Sequence, residues 1–358
     1  VKILLEKETV EQEEFREIKG TTVIIYDQTC AAEKRRRRKR GKLADPAMRP
    51  FINEAVCEGC GDCSVQSNCV SVEPLETEFG RKRMINQSSC NKDFSCVRGF
   101  CPSFVTVYGG EPRKSSKGTG PLEGLKLPAL PNVTIPSFDE TFHDYNILVT
   151  GIGGTGVLTI GALLGMAAHL DGNACSILDM AGLAQKGGAV LSHIRLAPNI
   201  DTIRSTRIVT GRSNLLLACD SVVAASASAV NIMRNDRTKA VINSHMSPVA
   251  DFVRNRDIDF QEAIVQKQLD NVTKDAARFR IPAQEIATNL MGDSIATNIL
   301  MLGYAWQKGM IPVTLASIEQ AIHMNGVAIE SNLRTLYWGR MAAHDMSAIK
   351  MLISEGRG

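Results

Sequence analysis

This 358-residue sequence lacks several features, and each absence closes off a class of protein. No uninterrupted apolar run approaches the ~18 residues that cross a bilayer, which argues against a membrane span. The opening stretch VKILLEKETVEQEEF carries too many charges for the apolar region of a secretory signal. No Met stands at position 1, so the chain reads as a fragment or a processed piece. No solenoid-length period recurs. No aromatic residue is interleaved with the strongly basic tract, which disfavours stacking on single-stranded nucleic acid. A second CxxC knuckle is also missing, and a zinc ribbon needs two.

What is present begins with an ordinary soluble composition, 44% hydrophobic and 22% charged. At this length, two or three domains with real cores are expected. The net charge of +3 is unevenly spread, because seven consecutive bases run from Lys34 to Arg40. The ten cysteines, with no secretory signal, point to a reducing, cytoplasmic setting in which thiols bind metals more often than they pair.

Seven of those cysteines fall within residues 51–108. Cys57-x2-Cys60-x2-Cys63 lets three thiolates converge on one corner of an iron–sulfur cube, with Gly59 and Gly61 relieving the backbone where amides turn toward sulfur. Two-cluster ferredoxins continue with x3-Cys-Pro, whose Cys serves the other cluster. Here Cys69 follows after five residues without a proline, and the Cys-Pro pair appears later as Cys101-Pro102. By that crossover logic Cys101 completes the first [4Fe-4S] site. Cys69, Cys90 and Cys96 remain for a second cluster, with three irons or with a non-cysteine ligand such as Asp93. Zinc and disulfides are the weaker alternatives. Cys30, Cys175 and Cys219 are isolated and read as small buried hydrophobes.

Residues 21–27, TTVIIYD, pattern as a strand. Five prolines and five glycines between Gly109 and Glu140 mark a linker. From Tyr145 the pattern becomes α/β: a strand YNILVT, a glycine turn, a helix GVLTIGALLGMAAHL and a strand ACSILD. Further strands are expected at VLSHIRLA and SVVAAS, with helices over 293–307 and 314–340. Gly151, Gly153 and Gly156 match G-x-G-x-x-G in the strand–turn–helix context, and Asp179 ends the next strand, where a dinucleotide enzyme places its ribose-binding acid. Such a turn, Gly154 included, aims backbone amides at an anion. Its plainer reading is tight strand–helix packing.

Taken together, DQTCAAEKRRRRKRGK, CEGCGDCSVQSNCVSVEPLETEFGRKR, SSCNKDFSCVRGFCPSFV, GIGGTGVLTIGALLG, GLAQKGGAV and GDSIATNILMLGYAWQKG resemble indolepyruvate ferredoxin oxidoreductase, the long fused bacterial type of the 2-oxoacid:ferredoxin oxidoreductases. The resemblance covers nearly the whole chain in order. It implies residues 1–50 as the tail of a thiamine-binding domain, 51–108 as a small α+β ferredoxin-like iron–sulfur module, and 109–142 as a linker. It implies 143–340 as a Rossmann-like gamma domain with a parallel-rich sheet, and 341–358 as a tail. The implied activity is oxidative decarboxylation of an aryl pyruvate on thiamine diphosphate and magnesium, with coenzyme A as acyl acceptor and electrons passing through iron–sulfur clusters to ferredoxin. Partners would be ferredoxin and the missing thiamine and pyrimidine domains, in a dimer, with neither membrane nor nucleic acid involved. The thiamine motif, GDG followed by an Asn pair, does not occur, so this stretch alone is not expected to decarboxylate anything. The resemblance also turns the glycine turn away from a nicotinamide site and toward the shared active site.

The remaining signals are weaker. Gln185 and Lys186 in GLAQKGGAV read either as a tight turn or as a loop lining that active site. The Lys34–Arg40 run reads as a solvated helix or as a docking face for an acidic electron acceptor or coenzyme A phosphates. His193 reads as a hydrogen-bonded strand residue, and NILMLGYAW and NGVAIESN as packed helix faces. A non-catalytic electron-transfer module and a nicotinamide- or flavin-dependent ferredoxin reductase are the competing functions.

Overall fold

A computed structural model describes residues 17–21, 23, 29, 31–69, 71–110, 128–181, 188–246 and 261–355. The chain divides into two compact units, Val1–Asp45 and Pro46–Gly358. In the first, the basic run forms a helix, α1 (Ala31–Lys39). Lys and Arg are good helix formers, and Glu33 in the first turn pairs with the exposed Arg36 at 3.2 Å and Arg37 at 3.1 Å. Such pairs one turn apart each contribute a few tenths of a kcal/mol, roughly. Most of the strand expected at 21–27, and Cys30, lie outside the described residues.

The second unit begins with the cysteine-rich module. Its elements are β1 (Met48–Ile52), α2 (Asp62–Ser67), β2 (Val72–Thr77), β3 (Gly80–Ile85), a 3-10 turn (Ser95–Val97) and β4 (Phe104–Tyr108). β1 and β4 pair antiparallel from Met48↔Tyr108 to Ile52↔Phe104. β2 and β3 form a hairpin closed at Thr77↔Gly80. These two short ribbons leave the cysteine loops at their ends.

The larger α/β domain contains β5 (Tyr145–Ile152), α3 (Val157–Leu170), β6 (Ala174–Ala181), β7 (Ala189–Ala197), β8 (Leu215–Ala218), α4 (Ser221–Ala224) and α5 (Ala227–Val230). It continues with β9 (Lys239–Asn243), α6 (Glu262–Val272), β10 (Arg278–Ile281), α7 (Ala283–Met291), α8 (Thr297–Gln307), α9 (Leu315–Asn325), α10 (Ile329–His344) and α11 (Met346–Glu355). The six-stranded sheet runs β10-β9-β8-β5-β7-β6. β10, β9, β8 and β5 are mutually parallel, while β7 is antiparallel to both its neighbours. The α/β domain with a parallel-rich sheet is thus present as expected.

Its central strands are apolar runs because both faces are covered. Ile147 and Val149 of β5 enter one core with α3 and α7 to α10, while Leu148 enters the other beside Leu216, Ala240 and Leu269. Period-two alternation therefore feeds two cores from one strand. Each fully buried Leu or Ile contributes about 1.5–3 kcal/mol by leaving water.

Three expectations need correction, one of them the packed helix face expected at NGVAIESN, where residues 326–328 leave the helix and lie exposed. SVVAAS is not a strand: Asp220 caps a helix there, its side chain accepting from the Val223 amide at 2.9 Å, and the preceding LLLA forms β8 instead. The helix expected over 314–340 is two helices. Gly326 and Ala328 both adopt left-handed conformations, which ends α9 and starts α10. His193 is buried in β7, its Nδ1 accepting from the Ile208 amide at 3.3 Å, as expected. Among the described residues, no helix is long and apolar enough to cross a membrane.

Candidate functional site

The cysteine loops share one local design. β1 ends at Ile52, and the next residue, Asn53, donates its amide to Ser103 at 2.7 Å and accepts the Cys57 amide at 2.9 Å. Cys101, two residues before Ser103, therefore stands at the same end of the β1–β4 ribbon as the Cys57 loop. Its Sγ lies 3.0 Å from the Ser103 hydroxyl. Within that loop Gly59 and Gly61 have φ of 73° and 84°. A Cβ on Gly59 would sit 2.3 Å from the Arg81 carbonyl oxygen, so β3 presses on the loop where only glycine fits.

Three cysteine sulfurs accept the amide two residues ahead: Gly59 to Cys57, Ser71 to Cys69 and Lys92 to Cys90, each at 3.4 Å. Hydrogen bonds aimed at sulfur stabilise thiolate and tune any cluster it holds. The backbone is bent to make them. Asn68, Lys92 and Phe94 have φ of 47°, 52° and 58°, a region non-glycine residues avoid. Asn86 organises the second group, donating its amide to Ser71 at 2.8 Å while its carbonyl accepts the Cys90 amide at 3.0 Å.

Electrostatics sorts the thiols. Burial pushes Cys63 up, Arg83 opposes, and the neighbouring Cys57 adds a small upward push. Cys96 is pushed up to about 12, by burial first and then by Cys69, Cys90 and Asp93. Cys90 is raised by burial, with Cys69 and Asp93 adding. The structure thus brings Cys57 near Cys63, and Cys69, Cys90 and Cys96 near one another and near Asp93. Cys60 is exposed. Among the described residues, no three His, Cys, Asp or Glu side chains come together closely enough to hold a metal ion. The all-thiol donor set, the amide-to-sulfur bonds and the left-handed residues fit an iron–sulfur group. The raised thiols would release protons on loading.

The glycine turn follows the buried strand β5. Gly151 is a packing position, because a Cβ there would meet Val157 at 2.5 Å. Gly154 and Gly156 serve the backbone, with φ of 86° and 94°. Gly153 donates to Gly188 at 2.9 Å, tying the turn to the GLAQKGGAV loop; Gln185 and Lys186 themselves lie outside the described residues. Asp179 is not placed as a dinucleotide fold requires. β6 is the edge strand, separated from β5 by antiparallel β7, so Asp179 stands about 10 Å, two strand spacings, from the turn's strand.

Sequence reasoning missed the connection between the two regions. Ser294, in the turn before α8, donates its amide to Ser88 Oγ at 3.3 Å, beside Cys90. One helical turn later, Asn298 Nδ2 donates to the Thr155 carbonyl at 3.1 Å, inside the glycine turn. One short segment therefore touches both a cysteine loop and the glycine turn. The motif GDSIATN was the available signal, since Asp293 caps this turn by accepting the Ile295 amide at 3.1 Å.

The arrangement is that of an α/β domain joined to a thiol-rich module. Residues 146–341 match the family model described as pyruvate ferredoxin/flavodoxin oxidoreductase, and the chain belongs to that family. It is similar to the indolepyruvate oxidoreductase subunit IorB of Pyrococcus horikoshii, 23% identical over 210 residues, covering 57% of this chain and 98% of that one. The IorB subunit of Archaeoglobus fulgidus is 26% identical over 200 residues, covering 54% and 92%. Among solved structures, pyruvate oxidoreductase subunit PORC of Thermotoga maritima is 20% identical, with a TM-score of 0.41 over 55% of this chain and 96% of that one. The chain thus carries the gamma-type portion of a 2-oxoacid:ferredoxin oxidoreductase, as the sequence resemblance led us to expect.

Proposed function

We propose that this chain is the electron-transfer and gamma portion of an indolepyruvate-type, aryl 2-oxoacid:ferredoxin oxidoreductase that works with further subunits or domains. The observation that carries this reading is the set of amide-to-sulfur bonds at Cys57, Cys69 and Cys90, in a module bonded through Ser88 and Ser294 to the segment that holds the glycine turn. Cys57, Cys60, Cys63 and Cys101 would hold a [4Fe-4S] cluster, and Cys69, Cys90 and Cys96 a second, with Asp93 beside them. When bound, such clusters accept and release electrons one at a time. The chain's own contribution is to orient sulfur with fixed backbone amides and to keep Cys57 out of water.

Thiamine diphosphate, magnesium and the decarboxylation would belong to the thiamine and pyrimidine domains, with coenzyme A as co-substrate. The chain's Gly151–Gly156 turn, with Gln185 and Lys186, would border that shared site and orient an anionic group with backbone amides. Ferredoxin would take the electrons, and α1 would steer it by charge.

Anaerobic purification followed by iron and sulfide analysis tests the reading. Loading of the first site should show about four irons that Cys101→Ser removes. Full wild-type iron in that variant overturns the ligand set. The second group is tested by replacing Cys69, Cys90 and Cys96 together, and unchanged iron there means no second cluster. Turnover of indolepyruvate on adding the thiamine-binding portion separates the enzyme from a plain electron carrier.

A further inference from the structure

Far along the chain from the cysteine loops, α9 and α10 fold back on each other and line a half-open cleft of about 330 Å³, at the lower end of the size range that holds small ligands. Its lining is of two kinds. Leu333, Leu336 and Tyr337 form an apolar wall on α10, while Glu319 of α9 and Arg340 of α10 supply charge and the exposed His323 of α9 lies at the edge.

Arg340 is only 9% exposed, yet among the described residues it makes no ion pair. Its Nε donates to Gln307 Oε1 at 3.0 Å, and the guanidinium lies over the Trp306 ring at 5.0 Å. These contacts fix the fork, and among the described residues its terminal nitrogens meet no carboxylate, although a buried cation normally has one. Glu319 also makes no ion pair among the described residues. Burial raises its carboxyl, with Arg340 and His323 opposing. Glu319 and Arg340 act on each other's charge without forming an ion pair, which leaves room between them for a molecule that carries both opposite charges.

We propose that this cleft binds a small zwitterion, an α-amino acid with an apolar side chain. Its carboxylate would take the Arg340 fork, which matches a carboxylate in two-point geometry. Its ammonium would face Glu319, and its side chain would lie on Leu333, Leu336 and Tyr337. Tyr337 is held for this by its hydroxyl, which donates to the Pro128 carbonyl at 2.9 Å. The inference stands apart from the redox reading and needs no cluster.

Calorimetric titration of the full chain with L-phenylalanine, phenylacetate and phenethylamine tests it. Phenylalanine should bind with a dissociation constant near or below ~1 mM, and each half-charged analogue at least about tenfold more weakly. Glu319→Gln should weaken phenylalanine about tenfold and leave phenylacetate unchanged. Leu333→Trp, which fills the cleft, should abolish all binding while the melting temperature holds. Equal binding of phenylalanine and phenylacetate means an anion site only and overturns the proposal. So does full phenylalanine affinity in either variant, or no heat from any probe at about 10 mM.

Discussion

Glu73 offers the sharpest quantitative test of the cysteine module. It lies on β2, only 8% exposed, and Asn86 Nδ2 donates to its Oε1 at 2.8 Å. Burial raises its carboxyl from 4.5 to about 7, against the lowering effect of that hydrogen bond. The folded protein therefore keeps a proton that the unfolded chain loses between these values. Because the folded state binds more protons across that window, stability falls as pH rises from about 4.5 to about 7 and is level above it. At 1.36 kcal/mol per pH unit, the ionised carboxylate costs about 3 kcal/mol at pH 8.

Glu73→Gln keeps the acceptor for Asn86 and cannot ionise. The assay is amide exchange at Asn86 and Cys90, whose amides donate to the Ser71 and Asn86 carbonyls, in wild type and variant at matched iron content. Near pH 5 the two should differ little, because wild type is itself largely protonated. At pH 8 the variant's amides should exchange more slowly, by up to about two orders of magnitude if Glu73 becomes exposed in the opening. Parallel pH profiles for the two proteins would refute the reasoning, since they would mean that Glu73 is already ionised at little cost.

Gly339→Ala should be strongly destabilising, because its Cβ would lie 1.9 Å from the Leu300 carbonyl oxygen where α10 crosses α8; a loss of about 3 kcal/mol or more is expected as a lower melting temperature. Gly303→Ala, 2.2 Å from the Leu336 carbonyl oxygen, should behave alike. Gly59→Ala should displace the Cys57–Cys63 loop and lower bound iron, while the fluorescence transition of Trp306 and Trp338, both in the α/β domain, stays within about 0.5 kcal/mol of wild type. Charge reversal at Arg36 and Arg37, exposed on α1, should slow ferredoxin reduction and flatten its salt dependence while dye reduction persists; equal loss of both would point to folding instead. NADH or NADPH titration should leave cluster absorbance unbleached, and micromolar binding coupled to reduction would restore the reductase reading.

Local chemistry was legible from the sequence wherever neighbouring residues suffice to settle it. The strand–glycine–helix unit from Tyr145 to Leu170 could be read directly, because β5 and α3 are apolar runs and Gly154 and Gly156 occupy left-handed positions that few other residues tolerate. The Cys57–Cys63 spacing, with Gly59 and Gly61, likewise foretold a loop whose amides turn toward sulfur, as the Gly59 amide does toward Cys57. Helix and strand were confused at SVVAAS because a short apolar run has no decisive period; the Asp220 cap decided it.

Only the tertiary structure decided the rest. Asp179 has the sequence position of a ribose-binding acid, but β7 inserts between β5 and β6, and strand order depends on contacts far apart in sequence. The Ser88–Ser294 and Asn298–Thr155 bonds join residues 206 and 143 positions apart, which no local pattern encodes. Glu73 looks like any surface glutamate in its strand; its burial, and with it the shift to about 7, exists only once β2 and its neighbours are packed. Propensity and spacing act over a few residues, whereas burial and strand order follow from how distant segments exclude water together.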